Sequence, residues 1–366
     1  MKLVFVTQEL DPGHGALGQT VDLVRALAAR VDELAVVARD VNWDDVPANA
    51  SVRTFEAAGK LTRGLRFERA LASSLRGADG ALVHMVPEFA VLAAPLTRLR
   101  RVPLALWYTH WHASRSLELA TRLVDVALSV DASSFPLQSA KVRGIGHAID
   151  VDRFAASAPP VHSGPLRVLA LGRTARWKGL ATLLEALALA VDAGTDATLE
   201  IRGPSLTDDE RVHRAELMER VATDARLTDR VALRDSVPRA EIPALLASVD
   251  IVASPSEPRS GSTLDKAVFE AAACARPIIS TNASFASLLA GLPLQLIAPP
   301  RDPAAFASVL GAVAAAPPSV RAATGEELRR RVVDHHSLDH WAGMVIATIS
   351  DVRSPRGKAG TARAAG

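Results

Sequence analysis

The residues of this sequence best suited to chemistry are cations on a glycine-flanked loop. Leu171-Gly172-Arg173-Thr-Ala-Arg-Trp-Lys178-Gly179 follows an apolar run and leads into a helical pattern. Arg173 and Lys178 would sit beside a helix N-terminus, where fixed positive charge and the helix dipole together suit a diphosphate. Solvated surface cations are the plain alternative. The flanking glycines and the position past a strand's carboxyl end, where open α/β sheets bind ligands, favour a site.

A second segment is Gly261-Ser-Thr-Leu-Asp-Lys-Ala-Val-Phe-Glu270-Ala-Ala-Ala-Cys-Ala-Arg-Pro277. It reads as a helix with Thr263 or Asp265 as N-cap. Glu270 falls in an otherwise apolar stretch, where an unpaired carboxylate is costly. It should meet hydroxyl or amide donors, and a ribose diol supplies such a pair. A salt bridge to a core arginine is the alternative.

The first turn carries Gly13-His-Gly15-Ala-Leu-Gly18, a letter match to the G-x-G-x-x-G dinucleotide fingerprint. Its first glycine lies about six residues beyond the expected strand end, whereas the fingerprint needs an immediate turn. Asp40 could serve as the ribose acid, but no Tyr-x-x-x-Lys dyad accompanies it, since His112 stands four residues after the only tyrosine, Tyr108. The loop therefore reads as one that contacts a ligand other than NAD(P), with NAD(P) binding or a purely structural turn as alternatives. Asp150-Val-Asp152 mimics a metal-binding D-x-D pair, yet it leads into a linker and reads as structural. His336 and His340 would share a helix face near His335, but without a Cys or Glu partner they read as solvated or packed.

These loops need a scaffold. Residues 2–7 form an apolar run with the β-branched content of a buried parallel strand, and Thr20–Arg30 has an apolar face at helical spacing. Further strands are expected at 34–38, 80–84 and 103–107. The alternation breaks at the proline-rich stretch 155–165, a linker, and restarts with strands at 166–171, 199–201, 231–233, 251–253 and 277–280 and a helix at 180–190. The expectation is an α/β chain of two doubly wound Rossmann-like domains facing across a cleft. Residues 1–155 form the first and 166–335 the second, 336–350 a C-terminal helix crossing back, and 354–366 a disordered tail.

Composition agrees. The chain has 366 residues, 49% of them hydrophobic, enough for two cores. A formal net charge of +2 argues against a dedicated nucleic-acid binder. The single cysteine, Cys274, excludes an internal disulfide framework and a Cys-rich zinc site. The opening residues lack the pattern of a signal peptide, so a cytoplasmic protein is expected.

Several stretches resemble the GT-B fold, family-4-type retaining glycosyltransferases. Gly172-Arg173…Lys178-Gly179 and Leu264-Asp-Lys-Ala-Val-Phe-Glu270-Ala…Arg276-Pro277 are similar to that family's donor-binding motifs. Gly146-His-Ala-Ile-Asp150-Val-Asp152-Arg-Phe154, Ser248-Val-Asp250-Ile-Val-Ala-Ser-Pro-Ser256 and Trp107-Tyr-Thr-His110-Trp follow the family's order along the chain. The resemblance implies transfer of a sugar from a nucleotide-sugar donor to an acceptor hydroxyl, with retention and without an obligatory metal. It assigns Arg173 and Lys178 to the donor diphosphate, Glu270 to the ribose and His110 to the transferred sugar. Gly15 or Gly18 would contact donor phosphate or sugar, as would the backbone N–H groups of Thr263, Leu264 and Asp265. Base-contacting groups are expected near Gly203 and Val237.

One departure stands out. The family's E-x7-E pattern has its first glutamate where this chain has Ser262, which leaves open the group that meets the sugar hydroxyls. A catalytically silent nucleotide-sugar-binding protein is therefore one alternative, and an NAD(P)-dependent sugar-nucleotide epimerase or oxidoreductase another. The acceptor is expected to be a glycan, a lipid-linked molecule or a small molecule. Residues 59–76, with Lys60, Arg63, Arg66, Arg69 and Arg76 beside Leu61, Leu65, Leu71 and Leu75, suggest peripheral contact with an anionic membrane surface; an ordinary solvated helix face is the alternative.

Overall fold

Apolar, β-branched runs become buried strands of two all-parallel sheets. The computed structural model describes residues 1–14, 17–157, 162–257 and 264–353. These divide into two units, one of residues 1–148 and 335–353, the other of residues 149–257 and 264–334.

The sheet of the first unit is built from β1 (Lys2–Leu10), β2 (Glu33–Val41), β3 (Ala50–Thr54), β4 (Gly80–His84), β5 (Leu104–Trp107), β6 (Val126–Ser129) and β7 (Val142–Gly144). Its order is β3-β2-β1-β4-β5-β6-β7, with Val4 opposite Ala35 on one side and Ala81 on the other. The second sheet contains β8 (Leu166–Leu171), β9 (Ala197–Arg202), β10 (Val231–Arg234), β11 (Ile251–Ser254) and β12 (Ile278–Ser280), in the order β10-β9-β8-β11-β12. Chain order reverses between β1 and β4 and between β8 and β11. At such switch points the loops beyond the strand ends splay apart and leave a crevice.

Connections between parallel strands must cross over, and α-helices make all of them here except β2–β3 and β6–β7. They are α1 (Thr20–Ala28), α2 (Lys60–Ser74), α3 (Pro87–Arg100) and α4 (Arg115–Leu123) in the first unit. The second uses α5 (Leu180–Asp192), α6 (Asp208–Thr223), α7 (Ile242–Ala247) and α8 (Lys266–Ala273), and after β12 come α9 (Ala286–Leu289), α10 (Pro303–Ala315) and α11 (Pro318–His336). The last helix, α12 (Leu338–Arg353), packs on α1, β4 and β6 of the first unit. There Trp341 is fully buried, its ring edge-on to Trp107 at 5.7 Å. Gly80 allows that fit, because a Cβ would stand 2.3 Å from a methyl of Ile349. No single helix among the described residues is long and apolar enough to cross a membrane.

The structure departs from the sequence expectations in several places. β1 runs on to Leu10 because its pairing continues through Glu9 with Asp40 and Leu10 with Val41. Strands β3, β6 and β7 add to those expected; β3 is nowhere fully buried and β7 is buried only at Val142, so neither of these two shows as an apolar run. Residues 149–154 go with the second unit, not with residues 1–148, since Phe154 is fully buried and its carbonyl accepts from Arg329 Nη1 at 2.9 Å. Helix α11 ends at His336 and α12 begins at Leu338, so His336 and His340 occupy different helices and share no face. The expected tail, 354–366, and part of the expected linker, 158–161, lie outside the described residues.

Candidate functional site

Backbone contacts decide where the Arg173–Lys178 loop lies. Leaving β8, the Gly172 N–H donates to Arg202 O at 2.9 Å and the Thr174 N–H to Pro204 O at 3.1 Å, which ties the loop to the exit of β9. At Gly203 the two chains nearly touch, and a Cβ there would lie 1.8 Å from Gly172 O. The loop then makes one tight turn at Arg176–Lys178 and enters α5 through Gly179, whose φ is 68°. A side chain at Gly179 would strike Pro255 O at 2.0 Å. Glycine is required at both positions because backbone, not a movable side chain, occupies the space.

The placed cations are each held by an acid. Arg173 pairs with Glu210 of α6, a carboxylate only 3% exposed that also accepts from the Leu206 N–H at 2.6 Å. Burial pushes the Glu210 carboxyl up, but the Leu206 N–H and the Arg173 guanidinium outweigh it and hold it below the ordinary carboxylate range. Lys178 Nζ pairs with Asp265 and lies 4.8 Å from the centre of the Trp177 ring. Gly172, Arg173, Lys178, Ser254, Ser256 and Asp265 line one small pocket beyond the carboxyl ends of β8 and β11. Asp265 is the N-cap of α8, with extended backbone and no side-chain cap bond.

Glu270 lies one turn further along α8 and is 5% exposed. Its Oε1 is buried without a hydrogen-bond partner, 3.5 Å from Lys266 Nζ and 3.7 Å from Arg239 Nη1. Two partly exposed cations face the carboxylate at ion-pair distance, one of them an arginine, though a half-exposed rather than a core one, and Oε1 is left without a hydrogen bond. Arg239 follows β10 and brings the loop containing Val237 towards Glu270. Gly203 follows β9 and is fixed against Gly172, so its backbone is part of the same wall.

Arg239, Glu210 and the pairing role of Asp265 were not foreseen from sequence. Nothing local marks Arg239 or Glu210, which arrive from the turn after β10 and the first turn of α6. The contact of Lys266 with Glu270 did have a signal, since residues four apart share a helix face. Leu264 is buried, whereas Gly15, Ser262 and Thr263 lie outside the described residues.

In the first unit, His110 stands exposed just past β5, its ring stacked on Trp111 at 5.4 Å and its Nδ1 accepting from the His112 N–H at 3.2 Å. Gly18 closes the turn before α1, and a Cβ there would sit 2.7 Å from both His14 O and Pro12 O. Asp40 lies within β2 and accepts from the Val41 N–H at 2.9 Å. Asp150 accepts from the Arg153 N–H at 3.0 Å, a local turn contact that agrees with a structural role. No group of three His, Cys, Asp or Glu side chains among the described residues is placed to hold a metal ion.

The family model for glycosyl transferases group 1 matches residues 165–315, the stretch holding the loop, both ion pairs and Glu270. A 2-deoxystreptamine glucosyltransferase of Streptomyces kanamyceticus is 28% identical over 189 residues, covering 47% of this chain. The match spans about half of that relative's length, 46%. Among solved structures, Anabaena HepE in complex with UDP superposes with a TM-score of 0.71 at 18% identity, covering 96% of this chain and 100% of that one. Sucrose-phosphate synthase from Thermosynechococcus elongatus gives 0.69 at 16% identity, covering 96% and 98%. The chain has the GT-B fold of these structures.

Proposed function

We propose that the chain is a glycosyltransferase that moves a sugar from a nucleoside-diphosphate donor to an acceptor hydroxyl, with retention of configuration. The observation that carries this reading is the set of ion-paired loop cations beside a buried carboxylate with an unused oxygen. Arg173 and Lys178 would bind the diphosphate, exchanging their carboxylate partners for phosphate oxygens. Glu270 would take the ribose hydroxyls, which supply the donors its Oε1 lacks. The base would lie along the loops of Gly203 and Val237. The HepE structures were determined with UDP and UDP-glucose, which supports a nucleotide sugar as donor.

Breaking a glycosyl–phosphate bond builds negative charge on the departing diphosphate and positive charge on the sugar. Cations held in place by backbone and by their own ion pairs stabilise that leaving group without reorganising. In this reading Arg173, Lys178 and the N–H groups opening α8 do this work, and no metal is assigned to the step. Asp265, released by Lys178 when phosphate arrives, is the described carboxylate nearest to Ser262 in sequence and so the group for the sugar hydroxyls. His110 keeps its assignment beside the transferred sugar.

Calorimetry with UDP, GDP and ADP tests the donor site. Lys178→Ala and Glu270→Ala should each weaken the nucleotide that binds by about tenfold or more, the loss of a charge-assisted contact. Unchanged affinity in both would refute the site. Binding without turnover for any nucleotide sugar would favour the silent binding protein.

For the acceptor, we propose a glycan or lipid-linked molecule reached at an anionic membrane surface. Leu61 and Leu65 of α2 are 87% and 61% exposed. Arg63 and Arg66 are drawn back to Glu56 and its neighbours, so Lys60 and Arg69 carry the electrostatic part. Co-sedimentation with phosphatidylglycerol vesicles that survives Leu61→Ser with Leu65→Ser would remove this membrane role.

A further inference from the structure

The second unit has another recess, at the opposite end of its sheet from the loops described above. An open cavity of about 1250 Å³ lies where β8 and β12 begin, bounded by α5, α10 and the start of α11. Its walls are dominated by small side chains, among them Ala190, Gly194, Ala307, Gly311, Ala312 and Ala315. Alanine and glycine on facing helices leave open the volume that leucines would fill in a core, and the surface they present is apolar.

The polar groups on this wall are unevenly satisfied. Asp250, 8% exposed, accepts from His162 Nε2 at 2.9 Å and from the Arg167 N–H at 2.8 Å, so its charge is already met. Asp196 pairs with Arg230 at 2.7 Å. Arg321 differs. Its Nη1 donates to Val313 O, Ala314 O and Ala316 O at the end of α10, while no carboxylate among the described residues pairs with it. The His162 Nδ1 is buried with no hydrogen-bond partner, a second sign of a wall shaped for an occupant.

From this charge balance on an apolar surface, we propose that the recess binds a single-chain amphiphilic anion. The alkyl chain lies along the alanine–glycine wall, and a carboxylate or phosphate head meets the remaining N–H groups of Arg321. A guanidinium with one edge engaged still offers donors in a fixed plane, a geometry that suits an oxyanion. The site is separate from the proposed donor site and does not depend on that reading.

The test uses the full chain with dodecanoate and dodecyl phosphate below micelle-forming concentration, followed by calorimetry and thermal unfolding. Dodecyltrimethylammonium is the charge control, and phosphatidylglycerol vesicles distinguish a free amphiphile from a bilayer. The anions should bind and raise Tm, by mass action on the folded state. Arg321→Ala should weaken them about tenfold. Ala312→Trp and Ser308→Trp, which fill the recess from exposed helix positions, should abolish binding while the unliganded Tm stays unchanged. Equal binding of dodecyltrimethylammonium, anion binding indifferent to both tryptophans, or capture by vesicles alone would each overturn the proposal.

Discussion

At the scale of single residues, the site is a set of charges already paired before any ligand arrives. Lys178 is 12% exposed and its ammonium is held by Asp265, so on the proposed donor reading an incoming diphosphate would have to displace a carboxylate rather than water. Asp265→Asn removes that competitor and a repulsive charge in one change. Nucleoside-diphosphate binding should tighten by roughly threefold to tenfold, read by calorimetry; a weakened affinity would show that Asp265 itself holds the ligand. Glu270 presents the opposite case. Its cations stand at 3.5 and 3.7 Å, too far for hydrogen bonds, and the unsatisfied oxygen is the cost that a bound diol would relieve.

At the scale of elements, loops are positioned by close backbone approach, and glycine is the means. Gly179→Ala adds a Cβ that would strike Pro255 O and strains a φ of 68°. It should destabilise the second unit by about 2–4 kcal/mol in urea unfolding, and shift Lys178 away from Asp265. A loss under about 0.5 kcal/mol would mean that the neighbouring loop yields freely. Helix α12 shows the same dependence on fit. Trp341 is fully buried against Trp107, so Trp341→Ala should cost about 3–5 kcal/mol through the cavity it leaves. Hydrogen exchange should then report faster opening in α1 and β4, the elements that α12 covers. Unchanged protection there would detach α12 from the core of the first unit.

At the scale of the whole molecule, acid should be more harmful than the small net charge suggests. His84 is buried at the end of β4, its Nδ1 3.1 Å from Thr7 Oγ1, and burial lowers its pKa from 6.5 to about 4. His336 is lowered to about 3, by burial first and then by the nearby His147, His335 and His340. The unfolded chain therefore binds these protons at a higher pH than the folded chain does. Stability is fully present above pH 6.5 and falls as pH drops towards 4, by roughly 3 kcal/mol for His84 alone. Urea midpoints between pH 7 and 4 measure this, and His84→Asn should flatten the slope. A wild-type slope that the substitution leaves intact would assign the acid sensitivity elsewhere. Cys274, raised to about 11 by burial, should stay unreactive to alkylating reagents until the second unit unfolds.

The sequence by itself determined the alternation of strands and helices, the restart near residue 166 and the place of the Arg173–Lys178 loop past the end of β8. Each of these is local: apolar runs, glycines and charges close together in the chain carry the physics. The histidines show where local pattern misleads, divided by a helix break at Ser337, whereas Asp150 is held in its own turn as its structural reading expected. Only the tertiary structure decided that Glu210 and Asp265 hold the cations and that Arg239 reaches Glu270. It also assigned residues 149–154 to the second unit and opened a recess at the far end of that sheet, where its strands begin. Those outcomes depend on residues brought together from separate crossovers, and no spacing along the chain encodes such a meeting.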